Sequence, residues 1–445
     1  MSQNGKSFAG GVHPPERKAL AESVPIEVLP TPKLISVPLL QHLGAPCESL
    51  VKNREEVEIG QVIGRSEAMI SAPVHASVGG TMAKASVATL PNGRHVESLP
   101  IKVAGEQSLE GQELYEDHFG GSWPTDGFDS HAPESIIEAV REAGLVGMGG
   151  AAFPTWVKLT RNPDRPVDTL LVNGCECEPY LAADNRLMIE AAAPIISGAL
   201  LAARCAGAER IVIGIEDNKP EAVATMSQAA AGSGIEVVAI PTKYPQGAEK
   251  QLVLATLDRT VPRGGLPLDV GVVVINVATS AAIARAVLRG KPLTHRLLTV
   301  SGDGIESPKN VLVPIGTAYR DVIQFAGGLR ADAARVIAGG PMMGFTLGEF
   351  GVPVTKGTSG ITVLTHDNLR QSAETACVRC GRCVDVCPMA LVPTRIALAA
   401  RYGNWDLVER YHADACMECG CCAYECPAQI PLVQLIRVGK VQLAA

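Results

Sequence analysis

The sequence predicts a multidomain protein that combines α/β and α+β units. An all-β unit comes first, then a layered α/β unit, a small α+β unit and a cysteine-rich helical unit. Three observations predict this. The chain has 445 residues, too many for one hydrophobic core. Its hydrophobic pattern changes character along its length. The run CVRCGRCVDVCP, Cys377 to Pro388, returns as CMECGCCAYECP, Cys416 to Pro427, the one clear internal repeat.

Composition excludes several classes. With 47% hydrophobic residues, 45 Gly and 31 Pro, the chain is packed and loop-rich rather than disordered. A net charge of −7 argues against a nucleic-acid partner. No apolar run reaches the ~18–20 residues of a bilayer span. The longest, Ala191–Ala203 and Val270–Ala284, read as a buried helix and a buried strand leading into a helix. The N-terminus lacks the charged-then-apolar order of a signal peptide. Free cysteines fit a reducing cytosol.

Residues 35–104 carry short alternating or β-branched runs between turn signals, such as LISVPLL and LPIKVAG, and read as all-β. The stretch Val51–Met82 resembles the flattened biotinyl/lipoyl barrel. A carrier domain places a lysine after a Glu-Ala-Met-like turn; here Ile70 follows Glu67, Ala68 and Met69, so the barrel is a scaffold without a swinging arm. With the N-terminal segment this unit spans 1–130.

From about residue 132 helix and strand alternate. PESIIEAVREAG has helical periodicity. DTLLVNG, ERIVIGIED, IEVVAIP and VGVVVIN are apolar runs of strand length, as buried parallel strands are. The expectation for 131–290 is a Rossmann-like layered unit with ligands at the carboxyl ends of its strands. Residues 293–365 return to β patterning with one helix, YRDVIQFAGG, and form a unit at 291–366. The remaining unit, 367–445, holds nine of the 13 cysteines.

Each cysteine run is C-x2-C-x2-C-x3-C-P, the ferredoxin spacing for [4Fe–4S] clusters. Three close cysteines wrap one cluster, and the fourth reaches the neighbouring one. One cluster therefore takes Cys377, Cys380, Cys383 and Cys426. The second takes Cys416, Cys419, Cys422 and Cys387. Cys421 falls outside the spacing and reads as a non-ligand. Zinc would want paired C-x2-C motifs, and a disulfide framework belongs to small secreted chains.

GLVGMGGAAFPTWVKL, Gly144–Leu159, is a glycine-rich loop of the kind that brings backbone N–H groups to a ligand. It is neither a Walker A loop nor a dinucleotide G-x-G-x-x-G. Past the strands stand Asn173, Glu176 and Glu178, then Tyr244, Gly247 and Glu249, then Asn276. These stretches resemble the four flavin and NADH motifs of the NADH-binding flavoprotein subunit of respiratory complex I, and LLTVSGDGIESPKNVLVPIG resembles its ligand-binding β-grasp domain. With FAGGVHPPERK, the barrel and the two clusters added, the whole order resembles the C subunit family of the Rnf complex, a membrane ferredoxin:NAD oxidoreductase that pumps Na+ or H+.

That resemblance implies a non-covalent FMN on Gly147, Gly149, Gly150 and Lys158, completed by Asn173, Glu176, Tyr244, Gly247 and Asn276. It implies that Phe153, Glu178 and Glu249 face NAD(H), with the two glutamates as catalytic candidates. Four positions depart from the motifs of the complex I flavoprotein subunit: Met148 replaces an arginine, Cys175 an aspartate, Cys177 a serine and Ala248 a glutamate. Cys175 and Cys177 are either buried small residues or a reactive or metal-binding pair. The implied function is hydride exchange between NADH and FMN and single-electron exchange with the clusters. The implied setting is peripheral, on the cytoplasmic side of the bacterial inner membrane, with a ferredoxin-handling iron–sulfur subunit among the partners. A cobalamin-reducing flavo-iron–sulfur protein and a non-catalytic electron-relay scaffold are the alternatives.

Overall fold

The computed structural model describes residues 7–369 and 372–444. In the first unit, the strands Leu34–Pro38, His95–Val103, Gly80–Met82 and Glu56–Val57 lie side by side, with Ser86–Thr89 also on His95–Val103. Glu48–Ser49, Val62–Arg65 and Val74–His75 form a second sheet. Alternation aims Ile35, Val37, Leu99 and Ile101 inward, where they meet Val57, Ile63 and Val74 from both sheets. The Glu67–Ile70 turn leaves Met69 77% exposed. Its far side is tied down, because the Trp156 indole N–H donates to the Ser71 carbonyl at 3.1 Å.

The second unit is built on four parallel strands in the order Glu236–Ile240, Arg210–Glu216, Thr169–Asn173, Val272–Asn276. In chain order this is 3-2-1-4. The connection reverses between Thr169–Asn173 and Val272–Asn276, the point outside whose carboxyl ends sheets of this kind bind ligands. The buried helices Ala192–Ala206 and Val277–Arg289 cover one face. They approach so closely that a Cβ on Gly198 would overlap the Ser280 carbonyl. Glu249–Leu257 covers the other face through Leu252 and Val253. No single helix among the described residues is long and apolar enough to cross a membrane. Ala183–Glu190 and Ala192–Ala206 pass that test only as a pair bent by 96°.

The third unit is a six-stranded mixed sheet carrying the helix Tyr319–Phe325. Its edge strand differs from expectation. Ile26–Val28, placed by sequence with the barrel, pairs in parallel with Lys309–Pro314. Three residues are too few to show a period, so only the long-range pairing reveals the strand. The last unit packs Pro393–Arg401, Trp405–Arg410 and Leu432–Ala444 around Ile396, Val408 and Ile436.

One buried cation joins three units. The Lys356 ammonium donates to the carbonyls of Pro73 and Gly144, both at 2.6 Å, and its backbone N–H donates to Gln41 at 3.0 Å. Burial lowers its pKa from 10.5 to about 7. The unfolded chain therefore holds this proton more tightly than the folded one. Stability should rise with pH between about 7 and 10, by at most ~1.4 kcal/mol per pH unit from this group. Lys356→Met should flatten the slope of denaturation midpoint against pH over that window. An unchanged slope would show that Lys356 does not titrate with folding.

Candidate functional site

Asn173 and Asn276 end neighbouring strands in register, at the point where the connection reverses. Neither amide is idle. Asn173 donates to the Gly247 carbonyl at 2.7 Å and accepts from the Cys175 N–H at 3.1 Å. Asn276 caps the helix Val277–Arg289 by accepting from the Ala278 N–H at 2.8 Å, and donates to Asp184 at 2.6 Å. The glycine loop lies directly over it. A Cβ on Gly149 would stand 2.8 Å from the Asn276 amide nitrogen, so only glycine lets the loop settle there. Gly150 is exposed, with open space where a side chain would be. Gly147 and Phe153 close the loop through an N–H···O bond of 2.8 Å.

Met148, at the position of the arginine in the complex I motif, turns inward and is 3% exposed. Its N–H donates to Thr279 at 3.0 Å, and its carbonyl accepts from the Arg296 guanidinium at 2.8 Å. Lys158 donates to the Val274 carbonyl at 3.0 Å and pairs with Glu249. The expected flavin lysine and the expected nucleotide glutamate thus form one ion pair. Ala248 starts the helix Glu249–Leu257 without a side-chain cap.

The loop after Asn173 is held in an unusual shape. Glu176 has φ +47° and Tyr180 φ +68°. The Glu176 carboxylate accepts from the N–H groups of Asp184 at 2.8 Å and Asn185 at 3.1 Å, capping Ala183–Glu190. Burial, then the charge of Glu176, pushes the Asp184 carboxyl up. Glu178 does not turn to the open strand ends. Its carboxylate accepts from the N–H groups of Met342 at 3.1 Å and Met343 at 2.8 Å in the third unit. Burial raises it to about 7. Two backbone donors far along the chain thus set its direction.

Cys175 is fully buried. Burial, then the charge of Glu216, pushes both the Cys175 and Cys177 thiols up, Cys177 to about 12. Neither is poised as a thiolate. Both pack beside Gly247, where a Cβ would stand 3.1 Å from the Cys175 Cβ and 3.4 Å from the Cys177 sulfur.

Sequence reasoning missed Gln246. It is wholly buried, and neither its amide oxygen nor its nitrogen has a partner among the described residues. Two buried hydrogen-bonding atoms beside Tyr244 and Gly247 fit a bound polar group. Its place inside KYPQGAEKQL was the only sequence signal.

The two cysteine runs fold alike. Arg379 and Glu418, Gly381 and Gly420, and Ala390 and Gln429 are matched pairs with positive φ. The Arg379 N–H donates to the Cys377 sulfur and the Glu418 N–H to the Cys416 sulfur, each at 3.4 Å. Such bonds favour thiolates and tune cluster potentials. Cys387, Cys416, Cys419, Cys421 and Cys422 line one cavity together, although Cys387 comes from the other run. That grouping fits a shared cluster. Among the described residues, no three His, Cys, Asp or Glu side chains converge on a single metal ion. Cys383 and Cys426 lie in the core of the unit, Cys377 packs against it and Cys380 is exposed. Cys421 lines the same cavity as the second run's other cysteines, and its thiol lies 3.9 Å from the Tyr244 carbonyl.

Tyr244 joins the two halves. It is 2% exposed, and its hydroxyl donates to the Cys419 carbonyl at 2.7 Å. The chain past the strand Glu236–Ile240 and the second cysteine run therefore meet at Tyr244.

Comparison with known proteins agrees with this arrangement. Residues 6–106 match the RnfC barrel sandwich hybrid domain, 140–285 the Nuo51 FMN-binding domain, 297–346 the SLBB domain and 374–430 the 4Fe-4S dicluster domain. FMN and [4Fe–4S] clusters are thus the chain's cofactors. The chain is 42% identical to the C subunit of the Na(+)-translocating ferredoxin:NAD(+) oxidoreductase complex of Acetobacterium woodii, over 99% of this chain and 97% of that one. It is also 42% identical to the C subunit of the proton-translocating ferredoxin:NAD(+) oxidoreductase complex of Clostridium ljungdahlii, over 88% and 84%. The C subunit of the ion-translocating oxidoreductase complex of Rhodobacter capsulatus is 40% identical over 98% and 83%. An NAD+-reducing [NiFe]-hydrogenase chain shares the fold at a TM-score of 0.50 and 22% identity, over 72% of this chain and 64% of that one. The chain belongs to the family of C subunits of Rnf-type ion-translocating oxidoreductase complexes.

Proposed function

We propose that this chain is the peripheral NADH- and FMN-handling iron–sulfur subunit of a membrane ion-translocating ferredoxin:NAD oxidoreductase, on the cytoplasmic side of the bacterial inner membrane. The names of its relatives supply the reaction class. The placement of Tyr244, past the strand Glu236–Ile240 and bonded to Cys419, is the observation that carries the reading. We read residues 1–130 as the N-terminal segment and lipoyl-like barrel, 131–290 as a Rossmann-like unit, 291–366 as a β-grasp unit and 367–445 as the two-cluster unit.

When bound, FMN exchanges a hydride with NAD(H) and passes electrons singly to the clusters. The chain's residues orient it. Gly147, Gly149 and Gly150 offer a backbone surface without side chains, and Lys158 adds positive charge. Asn173, Glu176, Gly247 and Asn276 hold the strand ends in shape, and Gln246 has two polar atoms to give. Phe153, Glu249 and, beyond the loop, Glu178 border the side left for the nicotinamide nucleotide. Cys416, Cys419, Cys422 and Cys387 form the set nearest Tyr244, with none of the four exposed. Cys377, Cys380, Cys383 and Cys426 form the set that reaches the surface at Cys380 and passes electrons to or from a ferredoxin-handling partner.

Bound FMN and its bleaching by NADH in the isolated chain test this reading against a relay scaffold, which would show neither. Acid precipitation should release the flavin as FMN, and flavin left on the pellet would mean a covalent link.

Glu249→Gln should raise the KM for NADH about tenfold or more, the scale of one lost charge-assisted hydrogen bond, while bound FMN stays near wild type. An unchanged KM would assign Glu249 only to its ion pair with Lys158.

Cys387→Ala should lose the same cluster signal in electron paramagnetic resonance as Cys416→Ala. Cys426→Ala should lose the same signal as Cys377→Ala, and Cys421→Ala should keep both. If Cys387→Ala and Cys377→Ala lose one signal together, each run holds its own cluster.

A further inference from the structure

The segment from Phe8 to Lys18 lies between the second cysteine set and the strand-end site and touches both. Gly10 has φ +76°, and a Cβ there would stand 2.9 Å from the carbonyl carbon and oxygen of Cys387. The Gly11 N–H donates to the Val386 carbonyl at 2.9 Å. A side chain on Gly11 would meet the Tyr244 carbonyl at 2.7 Å. Val12 and Tyr244 then exchange two backbone hydrogen bonds, at 2.9 and 3.0 Å. Consecutive residues are thus fitted, without room for a Cβ, against the backbone of a cluster ligand and of the tyrosine that reaches Cys419.

The far end of the segment holds the flavin-side loop. Glu16 accepts from the Tyr180 N–H through its carbonyl at 2.9 Å and from the Asn218 amide through its carboxylate at 2.8 Å. The Lys18 ammonium donates to the carbonyls of Glu176 at 2.7 Å, Glu178 at 2.9 Å and Leu181 at 2.5 Å. Three donors meet three carbonyls, which uses the full capacity of a lysine. Those carbonyls belong to the loop in which Glu176 and Tyr180 adopt positive φ. The near end is anchored by Lys243, which donates to the Phe8 carbonyl at 2.8 Å and lies 4.5 Å from the centre of its ring.

We propose that Phe8–Lys18 is a strap of positioning residues that registers the second cluster against the flavin site. Gly10 and Gly11 set the cluster end, and Lys18 sets the loop that shapes the flavin end. The inference rests on the reading above, in which the strand ends hold FMN and Cys387 ligates the second cluster. Electron exchange between two bound groups depends on their separation, and the strap is one continuous piece of backbone in contact with both sites.

The test uses the full chain with its FMN and clusters in place. Gly10→Ala should shift the resonance spectrum or midpoint potential of the cluster that Cys416→Ala removes, and leave the other cluster's signal as in wild type. Lys18→Met should raise the dissociation constant for FMN about tenfold, with both cluster signals unchanged. Lys243→Ala adds no Cβ inside the strap, so it covers the case in which Gly10→Ala fails to assemble. It should give a smaller shift of the same cluster signal. The proposal is overturned if Gly10→Ala and Lys243→Ala leave that signal unmoved or move only the other one, or if Lys18→Met binds FMN as wild type does. Failure of the underlying reading would show in other proteins: wild type without FMN, or Cys387→Ala losing the signal that Cys377→Ala loses.

Discussion

Thr169–Asn173 and Val272–Asn276 run parallel and in register, and the chain reverses its winding between them. Everything at the candidate site depends on that junction. Their last residues are asparagines, whose amides both donate and accept. Asn173 directs these bonds to Gly247 and Cys175, fixing two loops at once. Asn276 directs them to its own helix and to Asp184. The glycine loop then rests on Asn276 with no space for a side chain at Gly149. Four motifs scattered over more than a hundred residues converge because two strands end side by side.

Charge is arranged around this junction in a matching way. Glu176 and Asp184 stand close together, and the buried Arg296 lies within electrostatic reach of both. Glu176 is further stabilised by two backbone N–H groups at the start of a helix, where a negative charge is favoured. Lys18 brings an ammonium to the loop carbonyls from the opposite side. A buried charge without partners is costly, and these groups meet that demand with backbone as often as with each other. The Arg296 guanidinium also donates to the backbone carbonyl of Met148.

Much of this was legible in the sequence wherever the cause was local. Apolar runs marked the four parallel strands, and cysteine spacing marked the 4Fe-4S dicluster domain. The same spacing rule pairs Cys387 with the second run; Cys387 lines a cavity with that run's cysteines, among them Cys421, which the rule sets aside. What could not be read was non-local. Ile26–Val28 is a strand only because Lys309–Pro314 lies beside it, nearly three hundred residues away. Glu178 looks like a nucleotide contact from its motif, but Met342 and Met343 decide where its carboxylate points. Gln246 is ordinary in sequence and becomes conspicuous only when burial leaves both amide atoms without partners among the described residues. No local pattern connects Lys18 to the loop from Glu176 to Leu181, yet three hydrogen bonds do.

The two cysteine sets share a backbone path and differ in surroundings. In the second run Cys419 is 8% exposed, Cys421 is fully buried, and Gly420 presses against the Met342 carbonyl of the third unit. In the first run Cys380 is exposed and Val378 is 66% exposed. A repeat folding alone would leave both sets equally open. Here the strap, Tyr244 and the loop around Met342 pack on the second run, while in the first set Cys383 and Cys426 are buried and Cys380 reaches the surface. Burial and solvent access tune cluster potentials, so the same packing that brings one set to Tyr244 also makes it chemically unlike its twin. Sequence repetition supplies two equivalent sites. Packing against the rest of the chain gives them unequal surroundings, with Cys419 bonded to Tyr244 and Cys380 open to solvent.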